Sequence, residues 1–131
     1  MKATLTLAAA LIFGTTSLAR AQGSDPPGVN PAHYQCYKVS EAVPFKPVAV
    51  TLKDQFGNSK ATVVNPVMIC APTSKNGAVV KDQKTHLVCY QDEGPKAPEK
   101  RVRVQNQFGQ DVLTVGGAAM LCVPSLKTVL K

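Results

Sequence analysis

The sequence has no tryptophan, three tyrosines and four phenylalanines. No large aromatic core can form from these, so the interior must come from small and branched side chains. Acidic residues are also few, eight against 15 lysines and arginines. They are dispersed: Asp92-Glu93 falls in a Pro/Gly loop, and Asp54 and Asp111 flank short turns, which leaves paired-carboxylate catalysis little to build on. No serine stands in a Gly-x-Ser-x-Gly context, and there is no phosphate-cradling glycine loop, metal-protease motif or nucleotide fingerprint. No segment carries a helical stripe, and the apolar run Ala3 to Phe13 falls short of the roughly 20 residues needed to span a bilayer. These absences exclude the common motif-bearing enzyme classes and predict a chain that is not an enzyme, has no cofactor and does not span a membrane.

What the N terminus does contain is an export signal. Lys2 provides a positive start, an uncharged apolar run follows, and Ala19-Arg20-Ala21 matches a small-x-small cleavage site. The expected organisation is a cleaved signal peptide over 1–21, a flexible Gly/Pro/Ser-rich leader over 22–32, and one domain over 33–131. The expected location is secreted or periplasmic. The formal charge of +7 suits anionic surfaces, but the lysines are spread as on solvated strand faces. Lys100, Arg101 and Arg103 form the one dense basic cluster. Without interleaved aromatics to stack on bases, it does not predict specific nucleic-acid binding.

The chain repeats itself once. His33-Tyr34-Gln35-Cys36-Tyr37 returns as His86-Leu87-Val88-Cys89-Tyr90, Gln55-Phe56-Gly57 as Gln107-Phe108-Gly109, and Ile69-Cys70-Ala71-Pro72 as Leu121-Cys122-Val123-Pro124. The repeats span 33–75 and 85–127, joined by a connector that starts at Asn76-Gly77. The second is one residue shorter between its first cysteine and its Gln-Phe-Gly, a loss placed in the Pro-rich stretch Gly94 to Pro98. Within each repeat the apolar residues alternate with period two: Val48, Val50 and Leu52 in one, Val102 and Val104 in the other. Gly57 and Gly109 are expected to supply a positive φ at the chain reversals. Each repeat then offers about four strands with one apolar face. The predicted fold is all-β, a disulfide-stapled β-sandwich of two pseudo-symmetric four-stranded repeats packed face to face about a pseudo-twofold axis, or a flattened barrel if strands pair across the halves.

Four cysteines in an exported chain imply oxidation. Two connectivities respect the repeat: Cys36–Cys70 with Cys89–Cys122, which closes each half on itself and is preferred, or Cys36–Cys122 with Cys70–Cys89. The doubled His-x-x-Cys also invites a metal reading, with Met68 and Met120 completing a copper-like set. Residues three apart on a strand face opposite sides, and oxidised cysteines do not ligate. His33 and His86 therefore read as hydrogen-bonded strand-end residues, with copper or zinc ligation as the alternative. Tyr37 and Tyr90, each directly after a cysteine, and the cluster Lys100, Arg101 and Arg103 are the candidate binding surface.

The string His-x-x-Cys-Tyr, Gln-Phe-Gly and Leu/Ile-Cys-x-Pro followed by lysine resembles a bacterial family of exported domains classed as a domain of unknown function. The likeness covers His33 to Lys127. It implies a secreted two-repeat domain and transfers no catalytic residue. The second repeat departs from the pattern at Asp92 to Pro98 and at Gly116-Gly117. The resulting expectation is an exported, non-catalytic binding or structural module whose partner is an envelope protein or polysaccharide. The alternatives are a secreted inhibitor or carbohydrate-binding module, recognising through Asp92 to Pro98 and Ser74 to Lys84, and a periplasmic copper or zinc binder.

Overall fold

The computed structural model describes residues 25–28, 32–40, 43–95 and 98–131. The expected signal peptide, and the leader apart from 25–28 and 32, lie outside the described residues. Seven strands follow in order: β1 (His33–Lys38), β2 (Val48–Asp54), β3 (Gly57–Thr73), β4 (His86–Glu93), β5 (Lys100–Asn106), β6 (Gly109–Val115) and β7 (Met120–Ser125). Among the described residues the fold is all-β, antiparallel, sandwich-like and stapled by two disulfides, with no closed barrel.

The period-two pattern sets the faces. Val50 and Leu52 are half-buried between exposed Ala49, Thr51 and Lys53, and Val102 and Val104 are half-buried between exposed Arg101, Arg103 and Gln105. Each Gln-Phe-Gly makes a two-residue reversal, closed by the pairs Asp54↔Gly57 and Asn106↔Gly109. The two glycines take φ of 146° and 121°, a region that L side chains rarely adopt. Asp54 Oδ1 accepts hydrogen bonds from the Phe56 and Gly57 amides, at 2.8 and 3.1 Å, and Asn106 Oδ1 accepts from the Phe108 amide at 2.8 Å. An oxygen acceptor is the common requirement, so Asp and Asn exchange freely there.

All four extended segments expected of the first repeat are present, but two are continuous as the 17-residue β3. Its first half pairs with β2 and its second half with β1. Pro66 sits within it at two register shifts against β4, the kind of bulge that accommodates a residue without an amide. In the second repeat the equivalent stretch is Gly116-Gly117-Ala118-Ala119. Paired glycines weaken an extended segment, and the chain breaks there into β6 and β7.

The two repeats meet edge to edge rather than face to face, with strands pairing across the halves as the barrel alternative had it, though the sheet does not close. The main sheet runs β1, β3, β4, β7, with β2 also on β3. Repeat one joins repeat two through β3 against β4, in the register Met68↔Cys89, Ile69↔Val88 and Cys70↔Leu87. The hairpin β5–β6 forms its own two-stranded sheet. Its two ends are fastened to repeat one by side chains. Lys100 Nζ donates to the Phe56 carbonyl at 2.9 Å, and Gln107 binds His33 and Lys75.

The interior is small. Among the described residues the buried apolar ones are Ala61, Val63, Cys70 and Cys89, and no large side chain is fully enclosed. Two of these four are cystine halves, so cross-linking carries much of the stability. A bridge closing a loop of this size is worth about 3–4 kcal/mol by constraining the unfolded chain. Replacing Cys36 and Cys70 together by alanine is expected to lower unfolding stability by about that amount, read by urea titration of the oxidised protein.

Candidate functional site

Cys36 and Cys70 stand directly opposite on β1 and β3, and Cys89 and Cys122 directly opposite on β4 and β7; in both pairs the Cα atoms are 3.9 Å apart. Each pair is a disulfide, and no described cysteine is free. The preferred connectivity is the one formed and the exchanged one is not. Cys70 Sγ and Cys89 Sγ lie 3.8 Å apart across the β3–β4 junction. The four sulfurs therefore form one row across four strands, its two inner members buried and its two outer ones exposed.

The histidines start equivalent strands but serve different ends. His86 is buried, and its Nδ1–H donates to the Lys84 carbonyl at 3.0 Å. The loop before it is fixed by Asp82 Oδ1, which accepts from the Lys84 and Thr85 amides, both at 3.0 Å. Hydrogen bonds from Thr85, then Lys84, hold the Asp82 carboxyl below the usual carboxylate range. His33 is half-buried, and its Nε2 accepts from Gln107 Nε2–H at 2.6 Å. The Oε1 of the same amide accepts from Lys75, whose Nζ also stands 4.5 Å from the Phe108 ring centroid. His33 thus belongs to a chain that ties the β5–β6 turn to repeat one. Among the described residues, no three His, Cys, Asp or Glu side chains converge as a metal set.

The candidate binding residues are not gathered into one patch. Tyr37 is 53 % exposed, whereas Tyr90 is half-buried with its ring 5.0 Å from that of Phe45. Lys100 is engaged with the Phe56 turn, while Arg101 and Arg103 project from the exposed face of β5. Asp92 and Glu93 belong to β4 and not to a loop. Pairing with Val63 and Thr62 extends the strand through them, and Asp92 is buried with Oδ1 unpartnered.

Two clefts are walled by the loops named as recognition elements. The larger, about 470 Å³, lies between the Phe56 turn, Pro95 and Pro98, and the link Val115 to Ala118. Its walls are apolar at Phe56, Pro95, Pro98 and Val115 and polar at Asn58 and Ser59. Both places where the second repeat departs from the first, the Asp92–Pro98 segment and Gly116-Gly117, meet at this cleft. The smaller, about 220 Å³, lies between His33, Tyr34, Thr73 and the connector Ala78 to Asp82. The sequence reading missed Asn58, Ser59 and Phe56 as lining residues. The signal for Phe56 was its place in a chain reversal beside the positive-φ Gly57.

Fold and cystine row define a disulfide-stapled, all-β protein of two tandem repeats. The chain belongs to the family described as Repeat of unknown function (DUF7450), which matches residues 2–124. No curated protein and no solved structure matches it.

Gln107→Ala removes the joint between His33, Lys75 and the β5–β6 turn. We expect the hairpin to open locally while the main sheet persists, giving faster tryptic cleavage after Arg101 and Arg103 with a near-unchanged global unfolding midpoint.

Proposed function

We propose that the protein is an exported bacterial domain that acts without catalysis, as a structural or binding module at the cell envelope or outside the cell. The observation that carries this reading is the cystine row. All four cysteines are consumed as cross-links, two of them at the centre of a very small core, a pattern that suits an oxidising compartment. The apolar segment at the N terminus, with its Ala19-Arg20-Ala21 site, supports export. Among the described residues, no helix is long and apolar enough to cross a membrane. The histidines support a non-catalytic role, since one is tied to its own loop and the other to a neighbouring hairpin.

The test is the intact mass and non-reducing peptide map of protein recovered from the envelope or medium. Expected are an N terminus at Gln22, a mass four hydrogens below that of the processed chain, and linked peptides Cys36–Cys70 and Cys89–Cys122. Free thiols, an intact Met1, or a turnover abolished by substituting His33 or His86 would overturn the reading.

The larger cleft favours a second reading, a carbohydrate-binding module. An aromatic ring beside hydroxyl and amide side chains suits a sugar, with one apolar face and polar edges. It predicts glycan-array binding that Phe56→Ala weakens at least tenfold, about 1.4 kcal/mol. Silence on both glycan arrays and envelope polysaccharide sinks it.

A further inference from the structure

Across the main sheet, β1 and β3 contribute the first and last segments of repeat one, and β4 and β7 those of repeat two. The repeats are therefore added side by side, the last strand of one against the first strand of the next. Addition of this kind is head to tail, and it gives an open chain unless its rotation closes a ring. Among the described residues, β1 pairs only with β3 and β7 only with β4. By the repeat, the free β7 is the counterpart of the second half of β3, and the free β1 is the counterpart of β4. The two outer edges therefore match each other as the two inner edges do.

Exposure tells the same story residue by residue. Cys70 and Cys89, inside the junction, are each 2 % exposed, while their counterparts Cys122 and Cys36 are exposed. Met68 and Leu87 are half-buried, and their counterparts Met120 and Tyr34 are each 40 % exposed. The backbone is poised in the same way. The Gln35 and Val39 amides turn inward, to Thr73 Oγ1 and the Val67 carbonyl. Alternation then turns those of Tyr34 and Cys36 outward. Just before β7 the Ala119 carbonyl accepts inward from the Asp92 amide, so the Met120 and Cys122 amides face outward. Pro124 offers no amide at that edge, but its counterpart Pro72 lies beyond Cys70↔Leu87, the last pair of the internal junction.

We propose that copies of this chain join head to tail, β7 of one copy against β1 of the next, in the register of the β3–β4 junction. Met120 then faces Cys36, Leu121 faces Gln35, and Cys122 faces Tyr34 of the next copy. The internal junction continues to Val63 and Thr62, whereas β6 leaves the main sheet. The junction between copies is consequently shorter, and assembly is reversible and concentration-dependent. The occupant of each edge is a second copy because the complementary edge is already on the molecule. This deepens the structural-module reading by naming the partner. An exported, oxidised protein that stays monomeric would overturn the assembly and leave that reading standing.

The test is sedimentation velocity of the full oxidised chain over rising concentration, with Tyr34→Pro and Met120→Pro, each of which removes one outward amide and no inward one. The wild type should pass through dimer and trimer to longer species. Each variant alone should stay monomeric, and their equimolar mixture should stop at the dimer, since it holds one intact head and one intact tail. Association of either variant by itself would mean a like-to-like interface and would overturn the proposal, as would a monomeric wild type. Should a proline variant fail to fold, amide hydrogen exchange of the wild type decides. Exchange at Tyr34, Cys36, Met120 and Cys122 must slow as concentration rises; unchanged rates overturn the proposal.

Discussion

The fold depends on two cross-links laid directly across neighbouring strands. In most domains near this size a continuous apolar interior fixes the sheet. Here the buried apolar set is Ala61, Val63 and two half-cystines. The disulfides hold β1 to β3 and β4 to β7, and contact between Cys70 and Cys89 links the two staples. The elements without a cystine are secured differently. β2 relies on its hairpin ladder with β3, and the β5–β6 hairpin on lysine and glutamine contacts at its two ends. Rigidity therefore falls away from the sulfur row toward the hairpins, a gradient set by where covalent bonds replace buried area.

Much of the frame was legible because the chemistry is local. The repeat, the period-two faces at Val50, Leu52, Val102 and Val104, the reversals at Gly57 and Gly109, and the turn at Asn76-Gly77 follow from residues near one another in sequence. Asn76 and Gly77 indeed both take positive φ, closed by the Ala78 amide on the Lys75 carbonyl. The continuity of β3 was not legible, since Pro66 reads as a strand breaker unless a bulge absorbs it. The choice between face-to-face packing and pairing across the halves was left open, because a one-sided apolar pattern is satisfied by either sheet arrangement. Asp92 was misplaced for a related reason: Gly94 and Pro95 signal a loop, but the β3 ladder carries the strand past that signal.

The candidate surface shows where a repeat misleads. Tyr37 and Tyr90 share their local sequence, as do His33 and His86, yet each pair divides between exposed or half-buried and more enclosed positions. What separates them is the place of their strand in the sheet, β1 at the margin and β4 inside, a property no single repeat encodes. The reverse holds for the larger cleft. It is walled by the very segments, Asp92 to Pro98 and Gly116-Gly117, in which the two repeats differ, so departure from the repeat marked it better than similarity did.

The placing of the two cystines also fixes how the molecule bears tension. A pull applied at the two ends enters at Cys36, crosses the sulfur bridge to Cys70, follows the backbone to Cys89 and leaves through Cys122. Residues 37–69 and 90–121 lie on covalently bypassed loops, so the turns and the β5–β6 hairpin carry no covalent load, while the larger cleft, walled by both loops, opens when the repeats part. Between the cystines, slack can come from one stretch alone, the 19-residue step from Cys70 to Cys89, which at full extension reaches about 65 Å. The protein is built as a short extensible link between two inextensible clasps.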